Sequence, residues 1–174
     1  MQNYYRLILL LTLALHCDSG IAEAYAYRLG PGDEIRIQVY DENDLSMSLH
    51  VDESGAFNYP YLGTVRANGR TIVELEKRLT AGLLEDVLVK PNVNVSITSY
   101  RNFYIGGEVK KPGGYPYQPG LTILQAVTIA GGPTEWASSS KFRILKEGAP
   151  NAVAANKKTL VRPGDTVTIL EGIF

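Results

Sequence analysis

The sequence predicts an α+β protein built from two small units in tandem, and three observations lead to it. First, one turn-and-strand pattern occurs near both ends, as Leu29-Gly30-Pro31-Gly32-Asp33-Glu34-Ile35-Arg36-Ile37 and as Val161-Arg162-Pro163-Gly164-Asp165-Thr166-Val167-Thr168-Ile169. In each copy Pro fixes φ at the first corner of a tight turn and Gly supplies the positive φ that a type II turn needs at the second. The apolar residues at every second position that follow are the pattern of a half-buried strand. Second, Thr71 precedes Glu74 and Thr122 precedes Gln125 by three residues, the spacing of a capping box at a helix start. Third, Tyr61-Leu62-Gly63-Thr64-Val65-Arg66 is echoed by Tyr104-Ile105-Gly106-Gly107-Glu108-Val109-Lys110. Each copy leads to a glycine, Gly69 or Gly120, just before a helix start.

Taken in order, the chain opens with a targeting segment. Arg6 supplies positive charge, and residues 7–15 form an apolar run with only Thr12 polar. That run is shorter than the about 20 residues a membrane-spanning helix needs, and it fits the core of a secretory signal peptide. Ala22-Glu23-Ala24 offers a cleavage site, so residues 1–24 are set aside from the fold. Cys17 is the chain's one cysteine, either discarded with the signal or a lipid acceptor. The residue before it, His16, is not the small residue that lipoprotein signals carry.

The first unit then runs over residues 25–101. Ile35, Ile37 and Val39 share one strand face, Asp41-Glu42-Asn43-Asp44 forms an acidic loop, and short strands fall at 49–51 and 57–62 around the turn Asp52-Glu53-Ser54-Gly55. Residues 71–86 read as a helix with Ile72, Leu75, Leu79 and Leu83 on one stripe. Pro91 releases a strand in which Val93, Val95 and Ile97 alternate with polar residues. The second unit, 102–174, starts with a strand at 103–109 and a turn at Lys111-Pro112-Gly113-Gly114. A helix at 122–130 is apolar nearly all round, which predicts deep cover. Gly131-Gly132-Pro133 ends it, strands follow at 142–145 and 166–170, and 149–158 reads as an irregular loop. No Pro- or Ser-rich linker divides the units, so they are expected to abut.

Composition narrows the chemistry. In 174 residues, 45% hydrophobic and 20% charged, the net charge is −1, so no field draws the chain to nucleic acid. Tyr outnumbers Phe, 11 to 4, which favours half-wet surfaces. With His16 in the signal, His50 stands alone, so neither a Ser-His-Asp triad nor a histidine metal cluster is expected. There is no Gly-x-Ser-x-Gly elbow and no nucleotide-binding P-loop. Gly106-Gly107 and Gly131-Gly132 precede no helix, so they read as strand and helix-end geometry rather than phosphate cradles. Asp41, Glu42, Asp44, Asp52 and Glu53 miss the calcium-loop spacing and read as solvated loop charge. No catalytic residue, cofactor or metal is expected. Lys141, Arg143 and Lys146, with Lys157, Lys158 and Arg162, form a basic cluster that is either a solvated face or a contact for an acidic polysaccharide.

The ordered motifs resemble a known family, the polysaccharide biosynthesis/export proteins of the outer-membrane auxiliary type. Its first domain opens with a pattern like Tyr27-Arg28-Leu29-Gly30-Pro31-Gly32-Asp33. The pattern continues through Gly55, Pro60-Tyr61-Leu62-Gly63, Gly69 and the strand at 91–95. The later residues resemble the soluble-ligand-binding β-grasp (SLBB) domain: Gly107-Glu108-Val109-Lys110-Lys111-Pro112-Gly113, Ala130-Gly131-Gly132 and Pro163-Gly164-Asp165. The resemblance implies a polysaccharide export domain, a mixed sheet with one helix, followed by an SLBB-type β-grasp domain.

It also implies a role: a component of a capsular or exopolysaccharide export complex in the periplasm, associated with the outer membrane. A ring of copies would form the conduit, with Tyr59, Tyr61, Tyr115 and Tyr117 as candidate contacts. The implied partners are the polysaccharide, an outer-membrane β-barrel protein and an inner-membrane polysaccharide co-polymerase. The alternative is a stand-alone periplasmic carbohydrate-binding module. A hydrolase using Asp41 or Asp44 is a third reading. Large family members continue into an amphipathic C-terminal helix; here five residues follow Ile169, so a short form without that helix is expected.

Overall fold

The computed structural model describes residues 27–172. The expected signal peptide at 1–24 and Cys17 lie outside the described residues. In the first unit, β1 (Glu34–Val39) is the centre of a three-stranded sheet, flanked by β2 (Met47–His50) and β5 (Val93–Ser99). The hairpin of β3 (Ala56–Tyr59) and β4 (Gly63–Arg66) forms a separate two-stranded sheet. The expected strand at 57–62 breaks in two because Pro60 lacks an N–H for the ladder and Tyr61 takes φ +64°.

Helix α1 (Ile72–Asp86) starts where the capping box places it. Glu74 N–H donates to Thr71 Oγ1 at 3.2 Å, and Thr71 N–H donates to Glu74 Oε2 at 2.8 Å. Leu75, Leu79 and Leu83 are fully buried against Ile35, Ile37 and Val95, as the 3.6-residue stripe requires. The helix also shields the sheet edge, where the outward N–H of Val95 donates to Glu76 Oε1 at 2.8 Å, so β5 presents fewer free groups to another chain. Thr71's backbone hydrogen bond, and next Arg28's charge, hold the Glu74 carboxyl below its ordinary 4.5. A carboxyl depressed in the folded state stabilises it fully above pH 4.5 and stops doing so as pH falls through the folded value. The stability gap between the protein and Glu74→Gln in urea titrations is therefore expected to close on acidification below pH 4.5. A gap independent of pH would refute the cap's ionic part.

The second unit is a five-stranded sheet in the order β7 (Gly113–Tyr115), β6 (Phe103–Gly107), β10 (Thr166–Glu171), β8 (Ala137–Leu145), β9 (Val153–Ala155). β6 and β10 run parallel and the other pairs antiparallel. Parallel neighbours need a long crossover, and residues 108–165 supply it. The sheet that mixes both pairings therefore lies in this unit. The first unit pairs antiparallel throughout the described residues: β1 with β2 across a short return, β3 with β4 across a turn, and β1 with β5 after the long segment that carries α1. The α+β class and the order of the two units are as expected.

Helix α2 (Ile123–Ile129) lies on one face of this sheet and carries the second capping box. Only one stripe of it is covered: Ile123, Ala126 and Val127 are buried, but Leu124 is 52% and Ile129 44% exposed. The predicted deep cover is thus corrected, since among the described residues nothing packs on the helix's outer side. Two further expectations change. Residues 153–155 of the supposed loop join the sheet as β9, and β8 begins five residues early, at Ala137, because it pairs with Glu171 of β10. The Tyr61 and Tyr104 segments are not structural equals: Tyr61 sits in a turn, Tyr104 inside a strand.

Tyr59, expected at the surface, is 3% exposed. It is an inward position of β3, its hydroxyl donates to the Leu45 carbonyl at 2.7 Å, and burial pushes its pKa up to about 12. Tyr59→Phe would leave that carbonyl unpaired and is expected to cost about 1–3 kcal/mol in urea unfolding. A loss under about 0.5 kcal/mol, the range of ordinary surface changes, would contradict this account.

Candidate functional site

The two Pro-Gly-Asp turns build the site. Each closes with a bond from residue i+3 to residue i: Asp33 N–H to the Gly30 carbonyl at 3.2 Å, and Asp165 N–H to the Arg162 carbonyl at 3.1 Å. Gly32 and Gly164 take φ +92° and +81°, the second corner of a type II turn. Each Asp side chain then folds back over its own turn. Gly30 N–H donates to Asp33 Oδ2 and Arg162 N–H to Asp165 Oδ2, both at 2.8 Å. Each Asp immediately precedes its strand, in step with the strand's buried positions, and the carboxylates are 0% and 2% exposed; no other charged side chain among the described residues is buried.

A buried carboxylate needs a counter-charge and donors for its lone pairs. Asp33 receives Arg101 Nη1 at 2.9 Å, Arg101 N–H at 2.9 Å and the Tyr27 hydroxyl at 2.7 Å. Asp165 receives Lys146 Nζ at 2.7 Å and Glu147 N–H at 3.3 Å. Arg101 also reaches across the junction: its Nε donates to Glu147 Oε2 at 3.1 Å, and its Nη2 pairs with the same oxygen. Asp33, Arg101, Glu147 and Asp165 thus form one polar chain that joins the repeated turns of the two units.

Burial, and next the hydrogen bond to Asp33, push the Tyr27 phenol far above its usual range, so it stays a donor. Burial pulls the Arg101 pKa down, but the Glu147 hydrogen bond and the nearby acids outweigh it and leave it above its ordinary value. The guanidinium is therefore charged at every working pH. An aromatic stack runs alongside: Tyr27 meets Tyr100 edge-on at 5.0 Å, and Tyr100 meets Tyr117 edge-on at 5.4 Å. Beside it opens a cleft of about 610 Å³, walled by Tyr27, Arg28, Arg101, Tyr117, Lys146, Glu147, Arg162 and Pro163.

The structure divides the basic cluster read from the sequence. Lys141 and Arg143 point outward from β8, and Arg143 Nη2 donates to the Ala152 carbonyl at 3.2 Å. Lys146 lies past the strand's end, free of its alternation, and turns into the cleft. Tyr61 is 79% exposed, while Tyr115 is half-buried, stacked on Phe103 with its hydroxyl on the Lys111 carbonyl. Asp52 caps its own turn, accepting from Ser54 Oγ and the N–H groups of Ser54 and Ala56; the Ser54 hydroxyl leads in holding it below the usual carboxylate range. Among the described residues no group of three or more His, Cys, Asp or Glu side chains stands ready to hold a metal ion. The sequence reading missed Arg101, Glu147 and the inward role of both Asp residues. The signal available was the repeated Asp itself, a charged residue just before a strand and in step with its buried side chains.

Comparison with known proteins decides the family. The model for the polysaccharide biosynthesis/export protein matches residues 21–98, and the SLBB domain model matches 102–154. The chain belongs to the polysaccharide biosynthesis/export family. The similarity extends well beyond the turns. The exopolysaccharide production protein ExoF of Rhizobium meliloti is 34% identical over 151 residues, 80% of this chain and 36% of its own length. The export outer membrane protein EpsA of Ralstonia solanacearum is 27% identical over 158 residues, 75% of this chain and 42% of its own. The polysialic acid transport protein KpsD of Escherichia coli is 27% identical over 143 residues, 80% and 25%. The chain thus spans less than half the length of these relatives, all named for production, export or transport of a polysaccharide rather than for a catalysed reaction. The first turn lies inside the export-domain match and the second past the end of the SLBB match, before a strand in the same sheet as β6 and β8, so Arg101 and Glu147 join the two structural units.

Proposed function

We propose that this protein is a component of a complex exporting a capsular or exopolysaccharide, and that copies of it form a ring around the polymer's path. The observation that carries the reading is the match to both family modules in their order, with similarity to three export-type proteins across three quarters or more of the chain. Both cores are filled with side chains, so a path for a polymer has to lie between copies. Such contacts are heterologous, one face of each copy meeting a different face of the next. Tyr61 and the exposed side of α2 are available for them; Tyr59 is not. No helix of the described residues is long and apolar enough to cross a membrane. The ring would sit in the periplasm against the outer membrane, passing polymer to a β-barrel protein and receiving it from an inner-membrane co-polymerase.

The test is deletion and complementation. Loss of the gene is expected to abolish surface polysaccharide while its synthesis continues, and cross-linked cells should yield a closed multimer of the chain. Normal surface polysaccharide in the deletion strain would end the export reading. The cleft favours a second reading, a carbohydrate-binding module acting alone. That module would retain short oligosaccharides as a monomer, so a mass measurement beside a binding measurement separates the two.

A further inference from the structure

We propose that the cleft between the two units binds an acidic sugar unit, with Arg162 taking the carboxylate and Tyr117 the apolar face of the ring. This rests on the export reading only for where such a glycan comes from; the binding follows from the cleft's own residues. At about 610 Å³ it falls within the range of small-ligand sites, and it lies at a junction, where such sites concentrate.

The charges around it do not pair off one to one. Four cations line it, Arg28, Arg101, Lys146 and Arg162, against the carboxylates of Glu147 and Asp165. Asp33, behind Arg101, and Glu74, beside Arg28, bring the acids to four, but Arg101 engages two of them, which leaves one cation without a partner. The contacts show which. Arg101 is engaged by Asp33 and Glu147, Lys146 by Asp165, and Arg28 by Glu74. Arg162 is exposed, and its guanidinium meets no hydrogen-bond acceptor or acid among the described residues. Its planar fork matches a carboxylate with two parallel bonds. Its own backbone N–H is fixed on Asp165, so the side chain projects from an anchored turn.

Other residues of the lining suit a sugar ring. Tyr117 is half-buried, held edge-on by Tyr100, and its hydroxyl donates to no group among the described residues. Leu160, 54% exposed, extends the apolar patch at the cleft. A pyranose presents C–H faces and polar edges, and an amphipathic phenol meets both. A free phosphate fits less well. The N–H groups of Gly30, Arg162 and Asp165, which such an anion would need as a nest, are already bonded within the two turns.

The test uses the purified chain and two probes of equal length, trigalacturonate and the neutral cellotriose, titrated by NMR. The acidic probe is expected to shift cleft resonances, bind more weakly as salt rises, and outbind the neutral one. Arg162→Gln should weaken it about tenfold, the loss of one charge-assisted pair. Tyr117→Ala should weaken it as well, Tyr117→Phe, which keeps the ring and loses only the hydroxyl, should weaken it less than Tyr117→Ala, and Lys141→Ala, on the outer sheet face, should leave it unchanged. Equal binding of both probes, indifference to Arg162→Gln, or no binding of trigalacturonate at millimolar concentration would each overturn the proposal. Melting curves confirm that the variants fold. Export is scored separately by gene deletion: lost export without acidic binding sinks the cleft alone, and binding without an export defect sinks the export reading alone.

Discussion

Arg101→Ala is expected to cost about 3 kcal/mol and to uncouple the unfolding of the two units. Breaking a buried ion pair from one side typically costs about 3–5 kcal/mol, because the remaining charge stays in the interior without its partner. Asp33 has 0% side-chain exposure and Arg101 15%, so water cannot replace the guanidinium without opening the turn. The low end of the range applies because three donors stay on the carboxylate: the N–H groups of Gly30 and residue 101 and the Tyr27 hydroxyl. Adding Asp33→Asn to Arg101→Ala should recover part of the loss, since no unpaired charge is then buried.

The uncoupling follows from the other end of the same side chain. Arg101 also holds Glu147, whose backbone N–H lies on Asp165, so its loss cuts the polar chain between the turns. The chain's one tryptophan, Trp136, lies in the second unit and reports on it by fluorescence, whereas circular dichroism reports on both. In the unaltered protein the two urea transitions should coincide. In Arg101→Ala the dichroism should change first, as the unit containing Asp33 unfolds ahead of the other. A cost under about 1 kcal/mol, the worth of an exposed pair, with coincident transitions, would show that the junction is held by something else.

Local chemistry was legible in the sequence and tertiary consequence was not. Both turns could be read because Pro and Gly set their dihedrals without outside help, and both helix starts because a capping box spans four residues. The strands with apolar alternation, β1, β5 and β10, could be read for the same reason. What escaped notice depends on partners distant in sequence. Ser138, Ser139 and Ser140 carry no alternation, and they fall in the irregular stretch of β8 between the pairs of Ile169 with Phe142 and Glu171 with Ala137, which no local pattern announces. Arg101 follows a strand with nothing in its neighbourhood to mark it; it matters because the fold brings Asp33, 68 residues away, into contact. Lys141, Arg143 and Lys146 looked like one cluster by proximity, but Lys141 and Arg143 share a strand face while Lys146 is of the opposite parity and lies past the strand's end at Leu145. The likeness of the Tyr61 and Tyr104 segments was real as sequence but set a turn against a strand, since short Gly-rich strings fit both.

Two adjacent glycines should respond in opposite ways to the same substitution, and the difference tests the register of the second sheet. Gly107→Ala is expected to be severely destabilising. Gly107 has φ +77°, and a Cβ there would lie 2.1 Å from the Ile169 carbonyl oxygen on β10, the strand running parallel to it. The backbone strain alone is worth about 1–3 kcal/mol. The clash adds to it, because the obstacle is backbone in the centre of the sheet and that carbonyl also accepts the Glu108 N–H at 3.0 Å. Relief would require parting β6 from β10, the one parallel pair among the described residues and the link on which the order of the five strands depends. Gly106 has an ordinary φ, and a Cβ there would meet nothing within 4 Å. Gly106→Ala should therefore be neutral or stabilise by up to about 1 kcal/mol, through the reduced freedom of the unfolded chain. Urea unfolding of both variants, followed at Trp136, decides the matter. Similar effects from the two substitutions would mean that β6 and β10 are not paired as Thr168 with Gly106 and Ile169 with Gly107.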